Sequence, residues 1–90
     1  MRVSLLLHGC DSLKAKRRPR LSLVDRIRSE WKVAVAEVDH QDLWNRLTLG
    51  IAAVGPDEQP VESVLRRVAD FIEKQGVGEL IEDEIRMNRW

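Results

Sequence analysis

Ninety residues allow one domain, 1–90, with a thin core and a small stability margin. A composition of 43% hydrophobic and 33% charged residues, with zero net charge, excludes a disordered or fibrous chain. The single cysteine, Cys10, excludes an intrachain disulfide, and no segment approaches the roughly 18 apolar residues of a membrane span, so a cytoplasmic protein with no membrane partner is expected.

The chain opens with Arg2–Gly9 (RVSLLLHG), a nearly continuous apolar run of the kind that forms a central strand. The start MRVSLLLHGC has the outline of a lipoprotein signal, but its apolar run is too short and His8 stands where a small residue is wanted before the cysteine. Gly9 and Asp11 end the run, and Ser12 reads as a helix N-cap. Leu21, Val24, Ile27 and Trp31 then keep helical spacing along one stripe. Pro19 interrupts this helix: either it kinks there, or 13–18 is a loose turn and the main helix begins at Pro19.

Val33–Asp39 (VAVAEVD) is β-branched and short, which predicts a strand; Trp44–Val54 (WNRLTLGIAAV) predicts another, and the segment between them is a hairpin connection. Matching the bulky residues places Val33 and Val35 with Leu49 and Ile51. Ala34, Ala36, Thr48, Gly50 and Ala52 then make a flat, small-residue opposite face. Gly55 and Pro56 turn the chain into Pro60–Lys74, the cleanest helix, with Val61, Val64, Leu65, Val68, Phe71 and Ile72 as its stripe and Gly76 and Gly78 as its stop. Glu79–Met87 (ELIEDEIRM) alternates as a last, acidic strand.

The order β-α-β-β-α-β with right-handed crossovers predicts an α+β ferredoxin-like fold: a four-stranded antiparallel sheet with two helices on one face. The apolar first and third strands suit its centre, and the acidic fourth suits an edge.

SLKAKRR (12–18) followed by VAVAEVDHQDLWNRLTLGIA (33–52) resembles the YlxP-like family of small bacterial proteins of unknown function. The resemblance covers nearly the whole chain, and AEVDHQDLW is its most specific part. It implies a ferredoxin-like fold and a bacterial cytoplasmic setting. Genes of this family often neighbour those for translation initiation and ribosome maturation. No established catalytic residues come with it. The chain departs from the family at Pro19, where an aliphatic residue or another good helix former is usual.

Charge is segregated along the sequence. Seven bases and one acid, Asp25, lie between Lys14 and Arg28, whereas nine acids and three bases lie between Asp57 and Glu84. Lys14, Lys16, Arg17, Arg18 and Arg20 are therefore the candidate RNA- or phosphate-binding residues, since such a block gives non-specific affinity through counterion release. The plain alternative is a solvated helix face. The strands hold no Phe or Tyr for base stacking, so any RNA contact must come from the helix and from Trp44.

The second candidate is the turn with Glu37, Asp39, His40, Gln41, Asp42, Trp44 and Arg46. Histidine beside carboxylates supplies both metal ligands and a tunable base. Adjacent Asp39 and His40 on an extended strand point to opposite faces, however, and a zinc site needs three or four converging ligands. The plain reading is a rigid hairpin in which Asp39 or Asp42 accepts backbone N–H bonds and Glu37 pairs with Arg46 across the strands. Trp44 caps the sheet end or anchors a partner. Glycine-rich phosphate loops, CxxC pairs and serine elbows are absent.

The expectation is a non-enzymatic module, with no metal and no cofactor, that contacts RNA or the ribosome through the basic helix. The alternatives are a homo-oligomeric protein–protein interaction module and, third, a metal-assisted enzyme at the 37–42 turn.

Overall fold

The computed structural model describes residues 1–89. Strand β1 (Arg2–Leu7), helix α1 (Leu13–Glu30), strands β2 (Ala34–Asp39) and β3 (Arg46–Ala52), helix α2 (Glu58–Lys74) and strand β4 (Gly78–Glu84) follow in that order. The strands form one antiparallel sheet in the order β2-β3-β1-β4, so the fold is the ferredoxin-like βαββαβ arrangement. The two apolar strands occupy the centre and the acidic strand an edge.

Alternation builds the core. Val3, Leu5 and Leu7 of β1 share a face with Val35 of β2 and Leu47, Leu49 and Ile51 of β3. Leu23, Val24 and Ile27 of α1 and Leu65, Val68 and Ile72 of α2 pack in the same cluster. Helix α1 lies against β2 and α2 against β4. Trp31, at the C-cap of α1, meets Phe71 of α2 edge-to-face, with ring centroids 5.0 Å apart. The expected register of the second and third strands holds, with Val35 opposite Ile51 and Ala36 opposite Gly50. Gly50 is the one place on that face where space demands glycine: a Cβ there would lie 2.7 Å from Val38 Cγ1. Both edge strands are irregular, with register shifts at Val38 in β2 and Ile81 in β4. Such bulges discourage further strand pairing.

Three expectations about α1 need correction. The helix does not begin at Pro19. It starts at Leu13, capped by the Ser12 hydroxyl, which accepts from the Ala15 N–H at 3.0 Å, and runs unbroken past Pro19 to Glu30. A good cap and a long packed stretch outweigh the hydrogen bond that proline removes. The buried stripe runs through Leu23, 1% exposed, rather than Leu21, which is 42% exposed. Finally, the stripe continues N-terminally through polar residues: Lys16, Arg20, Leu23 and Ile27 follow one face, and Lys16 is 2% exposed.

The other element limits also move. β1 stops at Leu7, β2 starts at Ala34, Trp44 precedes β3, α2 begins at Glu58 and β4 ends at Glu84. Glu58 and Gln59 join the helix because Pro60 fits within a first turn, where backbone N–H groups have no intrahelical partner. No helix among the described residues is long and apolar enough to cross a membrane.

Candidate nucleic-acid interface

The connection between β2 and β3 is fixed from both sides of the sheet. Its backbone closes through Leu43 N–H donating to His40 O at 3.0 Å, and Leu7 N–H donates to Asn45 O at 2.7 Å. His40 adopts a left-handed φ of 58°, uncommon outside glycine, which swings its ring away from the position that strand alternation dictates.

On the helix side the anchor is Lys16. Its ammonium lies 2.7 Å from Glu37 Oε2 and donates to His40 O at 3.0 Å and Leu43 O at 2.9 Å. Two carbonyls accept its hydrogen bonds and the Glu37 carboxylate supplies the opposite charge, all inside the protein. Arg20 Nε approaches the other Glu37 oxygen at 3.7 Å. Glu37 therefore pairs with α1 and not with Arg46. The reason is alternation: Glu37 follows Val35 on the helix-covered face, opposite Leu49. The two stretches that carry the family resemblance, SLKAKRR and AEVDHQDLW, are thus physically joined by one buried lysine.

On the open face the anchors are Asp39, Thr48 and Arg2. Asp39 Oδ1 accepts from the His40 N–H at 2.8 Å, and Asp39 Oδ2 accepts from Arg2 Nη2 at the same distance. The Arg2 bond, followed by the backbone bond from His40, holds the Asp39 carboxyl below its ordinary range. Arg2 Nε donates to Glu82 Oε1 at 2.9 Å, so one guanidinium ties the edge strand β4 to the end of β2 at the opposite edge and is itself held firmly protonated. Arg46 Nη2 lies 3.8 Å from Glu82. Beneath this layer, His40 Nδ1 is 2.7 Å from Thr48 Oγ1, which is 2.6 Å from Ser4 Oγ. Ser4 and Thr48 are fully buried, although no helix covers that face. The expected flat, small-residue face is therefore confined to Ala34, Ala36, Gly50 and Ala52, with Thr48 roofed by the charged layer.

This arrangement braces a turn. The serine and threonine hydroxyls lie out of reach of a substrate, and His40 Nε2 stands 4.0 Å from Asp39 Oδ2, too far for the hydrogen bond that orients a general base. Among the described residues no three His, Cys, Asp or Glu side chains gather as metal ligands. His8 is exposed and Cys10 half-buried, outside the bracing network. An open groove of about 630 Å³ lies at the far end of β3, lined by Ala53, Val54, Val61 and Met87, and none of the candidate residues lines it.

What faces solvent around the turn is different in kind. Gln41, Asp42, Leu43 and Trp44 are exposed, Trp44 at 45%. On α1, Lys14, Arg17 and Arg18 are exposed, and none has an acidic partner among the described residues. The rest of the basic block is engaged: Lys16 and Arg20 with Glu37, Arg26 with Gln75 and Arg28 with Val35 O. Arg2, Ser4, Thr48 and Glu82 escaped sequence reasoning. The available signal was Ser4, a lone hydroxyl in an apolar strand, opposite Thr48 once the register is drawn.

Comparison with known proteins places the chain. It belongs to the DUF503 family. The family, described as a protein of unknown function, matches residues 1–85. The chain is also similar to the uncharacterized protein YlxP of Bacillus subtilis (strain 168), 34% identical over 68 residues, which cover 76% of this chain and 74% of that protein. The matched family span takes in both the Lys16 anchor and the whole of the braced turn.

Proposed function

We propose that this DUF503 protein is a non-enzymatic binding module that contacts the phosphates of RNA, free or within a ribonucleoprotein, through the first turns of α1. The observation that carries this reading is the residue of charge left after internal pairing. Lys14, Arg17 and Arg18 stand at i, i+3 and i+4 on the exposed side of the helix, with no acid in its first turn to neutralise them. Fixed on a capped helix, they approach a phosphate chain with their backbone already ordered. Lys16 and Arg20, turned toward Glu37, leave the phosphate-binding set and support it from below. A bacterial cytoplasmic setting near translation or the ribosome belongs to this same proposal.

The test is the triple variant Lys14→Glu, Arg17→Glu, Arg18→Glu. Its thermal unfolding should match wild type, because these side chains are exposed and join no hydrogen bond or ion pair among the described residues. Its affinity for ribosomes and for mixed RNA should vanish at low salt. For wild type, log K should fall with log salt by about 0.7 for each phosphate held on a single strand, a slope of about 2 for three contacts. A wild-type protein that ignores both RNA and ribosomes at low salt defeats the reading.

A second reading is a homo-oligomeric interaction module, favoured by Ala34, Ala36 and Val38, which stand exposed along the edge strand β2. Mass that rises with protein concentration and falls on Ala36→Glu supports it.

A further inference from the structure

We infer that the nucleic acid taken by this surface is single-stranded, with an unpaired base stacked on the Trp44 indole while adjacent phosphates lie along Lys14, Arg17 and Arg18. The inference rests on the phosphate reading above and adds the chemical class of its ligand.

The open sheet face offers no alternative stacking surface. Its strands present no aromatic ring, and its centre is closed by Arg2, Asp39, Glu82 and Arg46, which satisfy one another's charge. A base laid there would have to displace paired ions. Trp44, in contrast, is 45% exposed, an unusual place for the largest apolar side chain, and Leu43 beside it is 40% exposed. The turn that carries them is rigid on both sides. Lys16 holds its two carbonyls, and Asp39 and Thr48 hold His40. A ring presented on an immobilised turn loses little entropy when a ligand covers it.

The neighbourhood selects the occupant. Lys16 bonds to His40 O and Leu43 O, so the first turns of α1, which carry the free cations on their outer side, lie beside the turn that carries the indole. From Lys14 to Arg18 the helix rises about 6 Å, on the order of the spacing between successive phosphates of an extended strand. An apolar plane beside unneutralised positive charge matches a ligand that carries flat rings on an anionic backbone. A duplex hides its ring faces within the stack, and one indole on a short turn cannot reach them. The phosphates of a duplex would still meet the cations. Trp44 therefore sets the preference for unpaired strands, and the helix sets the general affinity.

The experiment measures fluorescence anisotropy of an unstructured, end-labelled RNA twelve-mer, alone and annealed to its complement. The proteins are wild type, Trp44→Ala, Trp44→Phe and the triple charge-reversed variant. Wild type should prefer the single strand. Trp44→Ala should lose roughly 5- to 160-fold on the single strand, the range expected for one stacked base, with little change on the duplex and an unchanged salt slope. Trp44→Phe should recover most of the loss, because a ring remains. Unfolding midpoints equal to wild type establish that the variants are folded. If Trp44→Ala binds the single strand as well as wild type, or if wild type prefers the duplex, the stacking inference is overturned; the phosphate reading then stands as long as the triple variant abolishes binding. If wild type binds neither RNA at low salt, both readings fall together, and Trp44 and Leu43 become a protein-docking patch.

Discussion

The ammonium of Lys16 meets three acceptors in a site almost closed to water, and this single group links helix, strand and turn. Removing one partner of a buried ion pair leaves the other charge stranded, at a cost of about 3–5 kcal/mol. Lys16→Met should therefore lower unfolding stability by about 3 kcal/mol, the lower end of that range, because Arg20 can close on the Glu37 carboxylate. Urea denaturation measures it, and Glu37→Gln added to Lys16→Met should cost less than the two single changes combined. A loss well below 1 kcal/mol for Lys16→Met would mean that the turn holds itself. Asp39 carries a pH signature of its own. Its carboxyl is held below the ordinary 3.8 by the bond from Arg2 and then by the His40 N–H. The ionised form therefore adds stability that is complete above the unfolded value and is lost as pH falls through the lower folded value. Asp39→Asn should be less stable than wild type at neutral pH, and the gap should narrow as pH falls below the ordinary carboxylate range, where wild type loses the same contribution. The effect is modest, since both partners are well exposed. A gap that is constant with pH would assign the difference to shape and not to charge.

At the scale of elements, Pro19 lies seven residues into a continuous helix, and its missing N–H leaves Ala15 O without the bond that the helix would supply. Pro19→Ala restores it. The expected gain is about 2 kcal/mol or slightly more in thermal or urea unfolding: about 3 for the relieved proline, less up to about 1 for the added freedom of the unfolded chain. A loss of stability would show that the helix bends usefully there. The β2–β3 pair offers a second test, because Gly50 exists to admit Val38. Gly50→Ala should cost about 1–3 kcal/mol by overpacking, and most of that should disappear in a Val38→Ala background. These cases also mark what the sequence made legible. Element order, strand faces and sheet topology follow from apolar alternation and helical spacing, signals spread over many residues that survive errors of one or two positions at each end. The limits of α1 were obscured because one local rule, that proline interrupts a helix, competed with capping and packing and lost. The bracing of the 39–45 turn was illegible for a different reason. It depends on residues 24 to 80 positions apart, Lys16 with His40 and Leu43, Arg2 with Asp39 and Glu82, Ser4 with Thr48, and on one left-handed φ at His40 that sets aside strand alternation.

At the scale of the whole molecule, the segregation of charge along the sequence becomes segregation in space. Helix α1 covers the β2 side of the sheet, and acidic β4 is the far edge. With strands about 4.8 Å apart, the two edges of a four-stranded sheet stand about 14 Å from one another. That distance exceeds the Debye length of about 8 Å at 0.15 M salt and falls well inside the roughly 30 Å at 0.01 M. The acidic edge should therefore repel a bound RNA strand at low salt and be invisible to it under physiological conditions. Glu82 is the wrong residue to test this, because it holds Arg2 and Arg46, and Glu84 is paired with Arg86. Glu79 and Asp83 are exposed and have no basic partner among the described residues, so reversing them alters the field and little else. Glu79→Lys with Asp83→Lys should tighten binding of a single-stranded RNA severalfold at about 0.01 M salt and leave it unchanged at about 0.15 M. Anisotropy titrations at the two salts decide the matter. Tightening that persists at the higher salt would mean that the strand passes within a Debye length of β4, and the binding path would have to be redrawn across the open face of the sheet. An affinity matching wild type at each salt, in the presence of an intact response to the Lys14, Arg17 and Arg18 reversals, would mean that Asp25 and the other acids near α1 already set the local field, and that the charge asymmetry of the molecule has no part in recognition.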